Sequence, residues 1–230
     1  MILEALNFAA TYAISNRRRP SEITSSVRLW ARARRCARDW AEHEENCKAF
    51  IRARLPERGR VAVVLGSGLL RDVPIENIAR SFREVRLYDL QHLASVRLRA
   101  KLRGFRNLRF LQRNLSGGLD FLRGDAGIDL VISANVLSQL GVAAGRAGRD
   151  AAMVIAAHLD GLRAAPGTRL LLTDTEFALV LKNGTTAERH DLLHGVALPE
   201  AAARWAWPVA PFGELDPAYK AVHKVAAVRL

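Results

Sequence analysis

From Val61 onwards, the apolar positions of the chain form short runs that alternate with stretches of helical spacing. The runs predict β-strands at about residues 61–65, 85–89, 108–112, 128–134 and 169–174, with helices between them. Such alternation predicts a mostly parallel α/β sheet with helices on both faces and right-handed crossovers. After about residue 200, "RWAWPVAP" and "YKAVHKVAAVRL" flank a loop with proline and glycine, which predicts a closing antiparallel strand pair.

The first part of the chain has a different pattern. Between Val27 and Leu55 the larger or less polar residues fall mainly three or four apart, and Pro56 and Gly59 follow. This spacing predicts one long helix with an apolar face. Its other face carries arginines interrupted by glutamates, which is typical of a solvated surface. We therefore divide the chain into an N-terminal helical extension or lid, residues 1–59, and an α/β domain, residues 60–230.

Composition narrows the possible classes of protein. Of the 230 residues, 50% are hydrophobic and 25% charged, a globular balance, and the formal charge of +12 favours polyanions, so nucleic acid is a candidate partner. Two cysteines, without a CxxC pair or a Cys/His cluster, predict neither a disulfide framework nor a metal site. The apolar stretch 1–14 precedes the arginines 17–19, the reverse of a secretory signal, and no run reaches the ~20 apolar residues of a membrane span. We expect a cytoplasmic protein that does not enter a membrane.

A glycine turn follows the first predicted strand. Gly66 and Gly68 let the backbone turn sharply and approach a ligand, with amide hydrogens facing an anionic group. Asp89 ends the neighbouring predicted strand, and a carboxylate there can accept the hydroxyl hydrogens of a ribose. A glycine turn alone is often structural, but the order of strand, turn, helix, strand and acid predicts a nucleoside site.

The motifs that carry this order resemble a known family. "VAVVLGSGLL", "VRLYDL", "IDLVISANVLSQLG" and "PGTRLLLTDTEF", together with the closing strand pair, resemble the class I S-adenosylmethionine-dependent methyltransferases over about residues 60–230. The resemblance implies a Rossmann-like sheet and S-adenosylmethionine as the cofactor. It also implies a set of cofactor-binding residues, which are Gly66, Ser67 and Gly68 at the methionine end, Asp89 and Leu90 at the ribose, Asn114 and Leu115 beside the adenine, and Ser133, Ala134 and Asn135 between cofactor and methyl acceptor.

The chain departs from the family's pattern around the glycine turn. Many members carry an acid where this chain has Val64, and a small residue where it has Leu69 and Leu70. Asp72 has two interpretations, an N-terminal cap for a helix that begins near Pro74, or a contact with the amino group of the cofactor.

Methyl transfer requires alignment of the reactants and, for some acceptors, removal of a proton, so no fixed catalytic triad is expected. The candidate bases are His92, three residues after Asp89, and the pair His190 and His194. The two histidines are spaced to lie on one helix face, and they could also be exposed surface residues without a catalytic role. Glu176 is expected to follow the fifth strand, where it would either contact the acceptor or begin a helix.

The first functional hypothesis is a bacterial-type methyltransferase that acts on a hydroxyl or amine of a small molecule. The fourth motif lacks the Asn/Asp-Pro-Pro-aromatic run of base-amino methylases, and both cysteines precede residue 60, which argues against cytosine-carbon methylation. One alternative is an RNA methyltransferase that grips phosphates through "RLRAKLRGFRNLR". Another is a catalytically inactive relative that serves as a binding or scaffolding protein. A nicotinamide dehydrogenase is a lesser rival, and the closing strand pair argues against it.

Overall fold

The computed structural model describes residues 1–15 and 18–230. Asn16 and Arg17 lie outside the described residues, so the predicted arginine run is described only in part. The helices are α1 (Ile2–Ile14), α2 (Pro20–Arg35), α3 (Ala37–Arg52), α4 (Ile75–Ser81), α5 (Ala94–Leu102), α6 (Leu137–Arg146) and α7 (Ala151–Arg163). The strands are β1 (Gly59–Leu65), β2 (Phe82–Asp89), β3 (Leu108–Gln112), β4 (Ile128–Ala134), β5 (Thr168–Leu181), β6 (Thr186–Asp191), β7 (Ala203–Ala210) and β8 (Tyr219–Arg229).

The strands form one sheet in the order β3-β2-β1-β4-β5-β8-β7, with β6 paired to β5 off this path. Strands β1 to β5 pair in parallel, whereas β8 lies antiparallel between β5 and β7. The predicted parallel sheet and closing antiparallel pair are therefore confirmed. The chain reverses its strand order beside β1, so the carboxyl ends of β1, β2 and β4 meet around one crevice.

Helices cover both faces of the sheet because successive side chains of each parallel strand point to opposite sides. In β1, Ala62 and Val64 belong to the core layer under α3 and α4. Val63 and Leu65 belong to the layer under α6 and α7. This two-sided burial explains why the strands appear in the sequence as continuous apolar runs.

The N-terminal extension differs from the single long helix predicted. Helix α2 ends at Arg35 and α3 begins at Ala37, with Cys36 between them at φ −91° and ψ 21°. The break lets the two helices pack on different surfaces: α2 contacts Leu69 and Leu70 of the glycine loop, whereas α3 joins the sheet core. Both helices keep the same three-to-four spacing, so the sequence pattern did not reveal the break.

Strand β5 is longer than predicted and runs seven residues past the expected end at residue 174. Its continuation is stabilised on both sides, by β8 from Leu170 to Leu181 and by β6 from Glu176 to Val180. No helix among residues 1–15 and 18–230 is long and apolar enough to cross a membrane.

Candidate functional site

The glycine turn lies at the carboxyl end of β1, close to β2 and β4. Gly66 and Ser67 donate their backbone N–H groups to the carbonyl of Tyr88, at 2.9 and 3.2 Å. Gly66 has φ +72°, and a Cβ there would lie 2.6 Å from Val136 Cβ. Gly68, at φ +44°, has space instead: an added Cβ would meet only the Gly66 carbonyl, at 3.8 Å. Gly66 is therefore required by packing, and Gly68 borders open space.

Asp89 stands beside this turn, as predicted. Its Oδ2 accepts the backbone N–H of Gly68 at 2.7 Å, and its Oδ1 accepts that of Gln91 at 3.4 Å. The carboxylate thus holds the glycine loop against the end of β2 while keeping lone pairs free for further donors. Leu90, the next residue, is 44% exposed.

The N-terminal helices cover the glycine loop. Leu69 and Leu70 contact clusters that include Ile23 and Val27 of α2, and Leu70 adopts φ +55°. Ser67 is 1% exposed, and its Oγ has no hydrogen-bond partner among the described residues. Helix α2 therefore packs against the loop that carries the glycine turn.

Asn135 connects the end of β4 to the loop after β1. Its backbone N–H donates to the carbonyl of Leu172 at 2.9 Å, and its φ is +50°, a conformation that asparagine tolerates. Its Nδ2 donates to Asp72 Oδ2 at 2.6 Å, whereas its Oδ1 is buried without a partner among the described residues. Burial raises the pKa of Asp72, which makes the Asn135 amide a needed donor.

The helix-cap interpretation of Asp72 is wrong. Helix α4 begins at Ile75 with Pro74 in the capping position and no side-chain cap. Asp72 instead turns towards Asn135, because the loop carries it to the end of β4 before the helix starts.

Other predicted cofactor residues are placed at the same edge but face different ways. Ser133 is buried, with its Oγ 3.0 Å from Nε2 of His158, and burial lowers the pKa of that histidine to about 4. Ala134 is buried in the sheet core. Asn114 is exposed and accepts the Ser116 N–H at 2.9 Å, whereas Leu115 is buried in the core.

His92 is buried beside the end of β3. Its Nε2 lies 3.2 Å from the carbonyl of Leu111, and its ring meets Phe110 edge to face. Burial lowers its pKa, and the charge of Asp89 opposes that shift. The adjoining cavity of about 40 Å³ is lined by Ser15, Gln91 and other residues, which is room for about one water molecule.

The other candidate bases lie on the extended hairpin of β5 and β6. His190 is in strand β6, exposed, and contacts Glu188; His194 is exposed in the following turn at φ +51°. The four-residue spacing of the pair does not reflect a helix, because residues 186–191 pair with β5 as β6 and His194 follows in a turn. The exposure of both rings agrees with the surface interpretation. Glu176 lies inside β5 and not after it, between Arg189 at 3.5 Å and Lys224 at 3.1 Å.

A polar cluster that the sequence did not reveal lies where β5 passes the edge of the parallel sheet. Asp174 is 4% exposed, with Oδ2 3.0 Å from His223 Nδ1 and 3.4 Å from the Ser138 hydroxyl, which donates to it. His43 of α3 stacks on Trp207 at 4.0 Å. Burial lowers the pKa of His43 to about 4, so this ring is neutral near pH 7. These residues are far apart in sequence and belong to no common motif. The one sequence signal near them is the "TDTEF" run, which contains Asp174.

Metal ligation has no support in the geometry. Within the described part of the chain, no group of three or more His, Cys, Asp and Glu side chains is placed to hold an ion. Both cysteines are buried and unpaired by a disulfide; burial raises the pKa of Cys36 to about 11 and also raises that of Cys47.

Comparisons with known proteins give structural likeness only. No family model matches the chain, and no curated protein matches it either. The solved DhpI–SAM–HEP complex is 14% identical, with 87% of this chain and 96% of that chain covered at a TM-score of 0.43. Phosphoethanolamine N-methyltransferase 1 of Haemonchus contortus is 15% identical, with 80% of this chain and 43% of that chain covered at a TM-score of 0.42. YcgJ of Bacillus subtilis is 18% identical, with 58% of this chain and 51% of that chain covered at a TM-score of 0.39. The chain therefore spans about half the length of that protein.

Identities below 25% and TM-scores below 0.5 carry no weight for function, so the fold assignment depends on the strand order and pairing. By that order the chain is an α/β protein with a Rossmann-like, mostly parallel sheet, closed by an antiparallel pair and covered at its carboxyl edge by N-terminal helices.

Proposed function

We propose that this chain binds S-adenosylmethionine at the carboxyl edge of β1, β2 and β4 and transfers its methyl group to a hydroxyl or amine of a small molecule. The observation that carries the proposal is the convergence there of the glycine turn, Asp89 and the Asp72–Asn135 pair. Hydrogen bonds join three segments that are separated in sequence: the loop after β1 contacts Asp89 at the end of β2 and Asn135 at the end of β4.

The residues at this edge fit the chemistry of such a cofactor. Open space borders Gly68, Asp89 has unused acceptor capacity for ribose hydroxyls, and Ser67 Oγ and Asn135 Oδ1 are buried polar atoms without partners among the described residues. A buried polar atom without a partner costs about 1–3 kcal/mol, so a polar ligand that supplies one is stabilised. Asp72 would accept from the amino group of the cofactor.

The proposed role of each residue follows the family resemblance. Asp89 would hold the ribose, the Gly66–Gly68 loop would hold the amino-acid end, and Asn114 and Leu115 would lie beside the adenine. When bound, the cofactor supplies an electrophilic methyl group on a sulfonium. The protein's own contribution is to orient the acceptor in line with that methyl and to exclude water beneath the N-terminal helices.

Calorimetry with S-adenosylmethionine and S-adenosylhomocysteine tests the proposal directly. Asp89→Asn keeps an acceptor for the Gly68 N–H but removes the charge, so we expect about a 10- to 100-fold loss of affinity from weakened charged hydrogen bonds. Asp160→Asn, which changes an exposed carboxylate on α7, is the matched control and should bind as wild type does. Absence of heat and of thermal stabilisation at high ligand would leave the scaffolding function.

A second candidate, RNA as the methyl acceptor, is favoured by one surface. Residues 90–119 contain no acidic side chain, and seven exposed basic residues lie on α5, β3 and the loops around them, namely Arg97, Arg99, Lys101, Arg103, Arg106, Arg109 and Arg113. Fluorescence anisotropy with a labelled structured RNA would measure the affinity at several salt concentrations. The affinity should fall steeply as salt rises, and alanine at Arg99, Lys101 and Arg103 should make its dependence on salt less steep. Salt-independent or absent binding would exclude RNA.

A further inference from the structure

Four buried polar atoms lie on the glycine turn, at the end of β4, on β5 and on β7. Ser67 Oγ, Asn135 Oδ1, Asp174 Oδ1 and Trp207 Nε1 have no hydrogen-bond partner among the described residues. Their residues are only 1–9% exposed. Buried polar groups are rarely left unpaired in folded proteins, and four in adjoining segments indicate a place where a polar molecule is held.

One of these residues, Asp174, forms an acid–imidazole pair with His223. Asp174 Oδ2 lies 3.0 Å from His223 Nδ1, an ion-pair distance and not an aligned hydrogen bond, and the Ser138 hydroxyl donates to the same oxygen at 3.4 Å. Trp207 and Phe177 meet the His223 ring edge to face at 5.5 and 5.7 Å. A carboxylate beside Nδ1 favours the tautomer with its proton there, which leaves the Nε2 lone pair able to accept another.

The pair is connected to the proposed cofactor site through one short segment. Ser138 lies three residues after Asn135, in the first turn of α6, and Asn135 in turn donates to Asp72. Residues 135–138 therefore contact Asp72 after β1 at one end and Asp174, the partner of His223, at the other. His223 keeps 18% of its side chain exposed, whereas Asp174 is almost fully enclosed.

The groups that face His223 come from three neighbouring elements. Asp174 faces it from β5, and His43, which approaches from α3, is neutral near pH 7 because burial lowers its pKa to about 4. β7 contributes the uncharged Trp207. Lys224, the next residue on β8, is engaged by Glu176. A positive charge formed on His223 would therefore meet a carboxylate and no facing cation among these groups.

We propose that His223, held by Asp174, accepts the proton of a hydroxyl acceptor during methyl transfer. The acceptor oxygen forms a bond to the methyl carbon while the carbon–sulfur bond breaks and its electron pair goes to sulfur. The hydroxyl proton moves to His223 Nε2, and Asp174 stabilises the imidazolium. This inference rests on the proposed function and narrows its substrate class, since a neutral amine can be methylated before it loses a proton.

Activity measurements with matched acceptors test this assignment. Release of S-adenosylhomocysteine would be followed with phenols and alcohols, each paired with the corresponding amine, for example methylumbelliferone with aminomethylcoumarin. We expect turnover of hydroxyl probes, and a fall in kcat of about 10²- to 10⁴-fold in His223→Ala with little change in KM. Added imidazole should restore part of the rate. Asp174→Asn should lower kcat as well, and Asp160→Asn should not.

Binding measured on the same variants separates this inference from the proposed function. His223→Ala and the milder His223→Gln should bind S-adenosylhomocysteine as wild type does, which also reports that they fold. Wild type that fails to bind overturns the proposed function itself. Wild type that binds but methylates only amines, or no hydroxyl probe, overturns the hydroxyl assignment, as does unchanged kcat in a folded His223 variant.

A spectroscopic measurement needs no acceptor. Nitrogen NMR of labelled histidines should show His223 with its proton on Nδ1 in wild type, and Asp174→Asn should shift the tautomer balance. A His223 protonated on Nε2 in wild type would contradict the proposed role.

Discussion

The two glycines of the turn should respond in opposite ways to the same substitution. Gly66→Ala places a Cβ 2.6 Å from Val136 Cβ and 2.8 Å from the Ala134 carbonyl, at φ +72°. Gly68→Ala places it at φ +44° with only the Gly66 carbonyl nearby, at 3.8 Å. One change therefore adds strain and a clash, whereas the other adds strain alone.

The free energies of unfolding can be worked out from these contacts. A left-handed backbone costs an alanine about 1–2 kcal/mol, and overpacking adds about 1–3 kcal/mol at position 66 only. Stiffening of the unfolded chain returns about 0.4–1 kcal/mol in both variants. We expect Gly66→Ala to lose about 1–4.5 kcal/mol and Gly68→Ala about 0–1.5 kcal/mol.

Urea unfolding followed by far-UV circular dichroism measures this difference as a shift of the midpoint at constant slope. Calorimetry with S-adenosylhomocysteine tests the effect on binding. Gly68→Ala should be nearly as stable as wild type, but its methyl group would enter the open space beside the turn. We therefore expect its affinity to fall more than about tenfold, which is a loss of at least about 1.4 kcal/mol of binding free energy. Equal destabilisation of the two variants, or full affinity in Gly68→Ala, would refute the assignment of one glycine to packing and the other to the ligand.

Three further predictions concern the rest of the molecule. Burial lowers the pKa of His158 to about 4, so between pH 6.5 and 4 the unfolded chain binds more protons than the folded one. The free energy of unfolding should therefore fall by up to about 3 kcal/mol as the pH is lowered through that range. In urea unfolding at several pH values, His158→Gln should show a smaller fall. Thr11 Oγ1 of α1 accepts the Ala94 N–H at 2.9 Å and caps α5, so Thr11→Val should cost about 1 kcal/mol and speed amide exchange in the first turn of α5, whereas unchanged exchange would exclude the cap. The thiols of Cys36 and Cys47 are buried and their pKa values raised, so both should react with a disulfide reagent only on unfolding, and rapid labelling of the folded protein would contradict their burial.

Much of the α/β domain could be predicted from sequence, because the central strands β1 and β4 are buried on both faces. Strands β3 and β4 have the predicted bounds, Leu108–Gln112 and Ile128–Ala134. Strand β4 is buried almost throughout and gives a strong apolar signal, whereas β3 lies at the sheet edge and is only partly buried. The glycine turn and Asp89 were predicted to lie together, and the order of elements was enough for that. Their cofactor-binding roles remain predictions.

Where periodicity is ambiguous, the prediction was wrong. His190 and His194 are four residues apart, which suits a helix. Strand β5 instead offers an unpaired edge beyond residue 174, and residues 186–191, which include His190, pair with it as β6. The break at Cys36 was missed for a related reason: two helices with the same spacing look like one, and only the surfaces they cover separate them.

By itself, then, the sequence determined the alternation of strands and helices, the glycine turn and the acid after the second strand, because these depend on local spacing. Only the tertiary structure decided that Asp89 holds the Gly68 amide, that Asp72 turns to Asn135, and that Asp174 on β5 meets His223 on β8. Those contacts join residues that are 21 to 63 positions apart, and they arise from strand pairing and from the crossing of loops at one sheet edge. No local pattern records such contacts, since they are formed by the packing of whole elements.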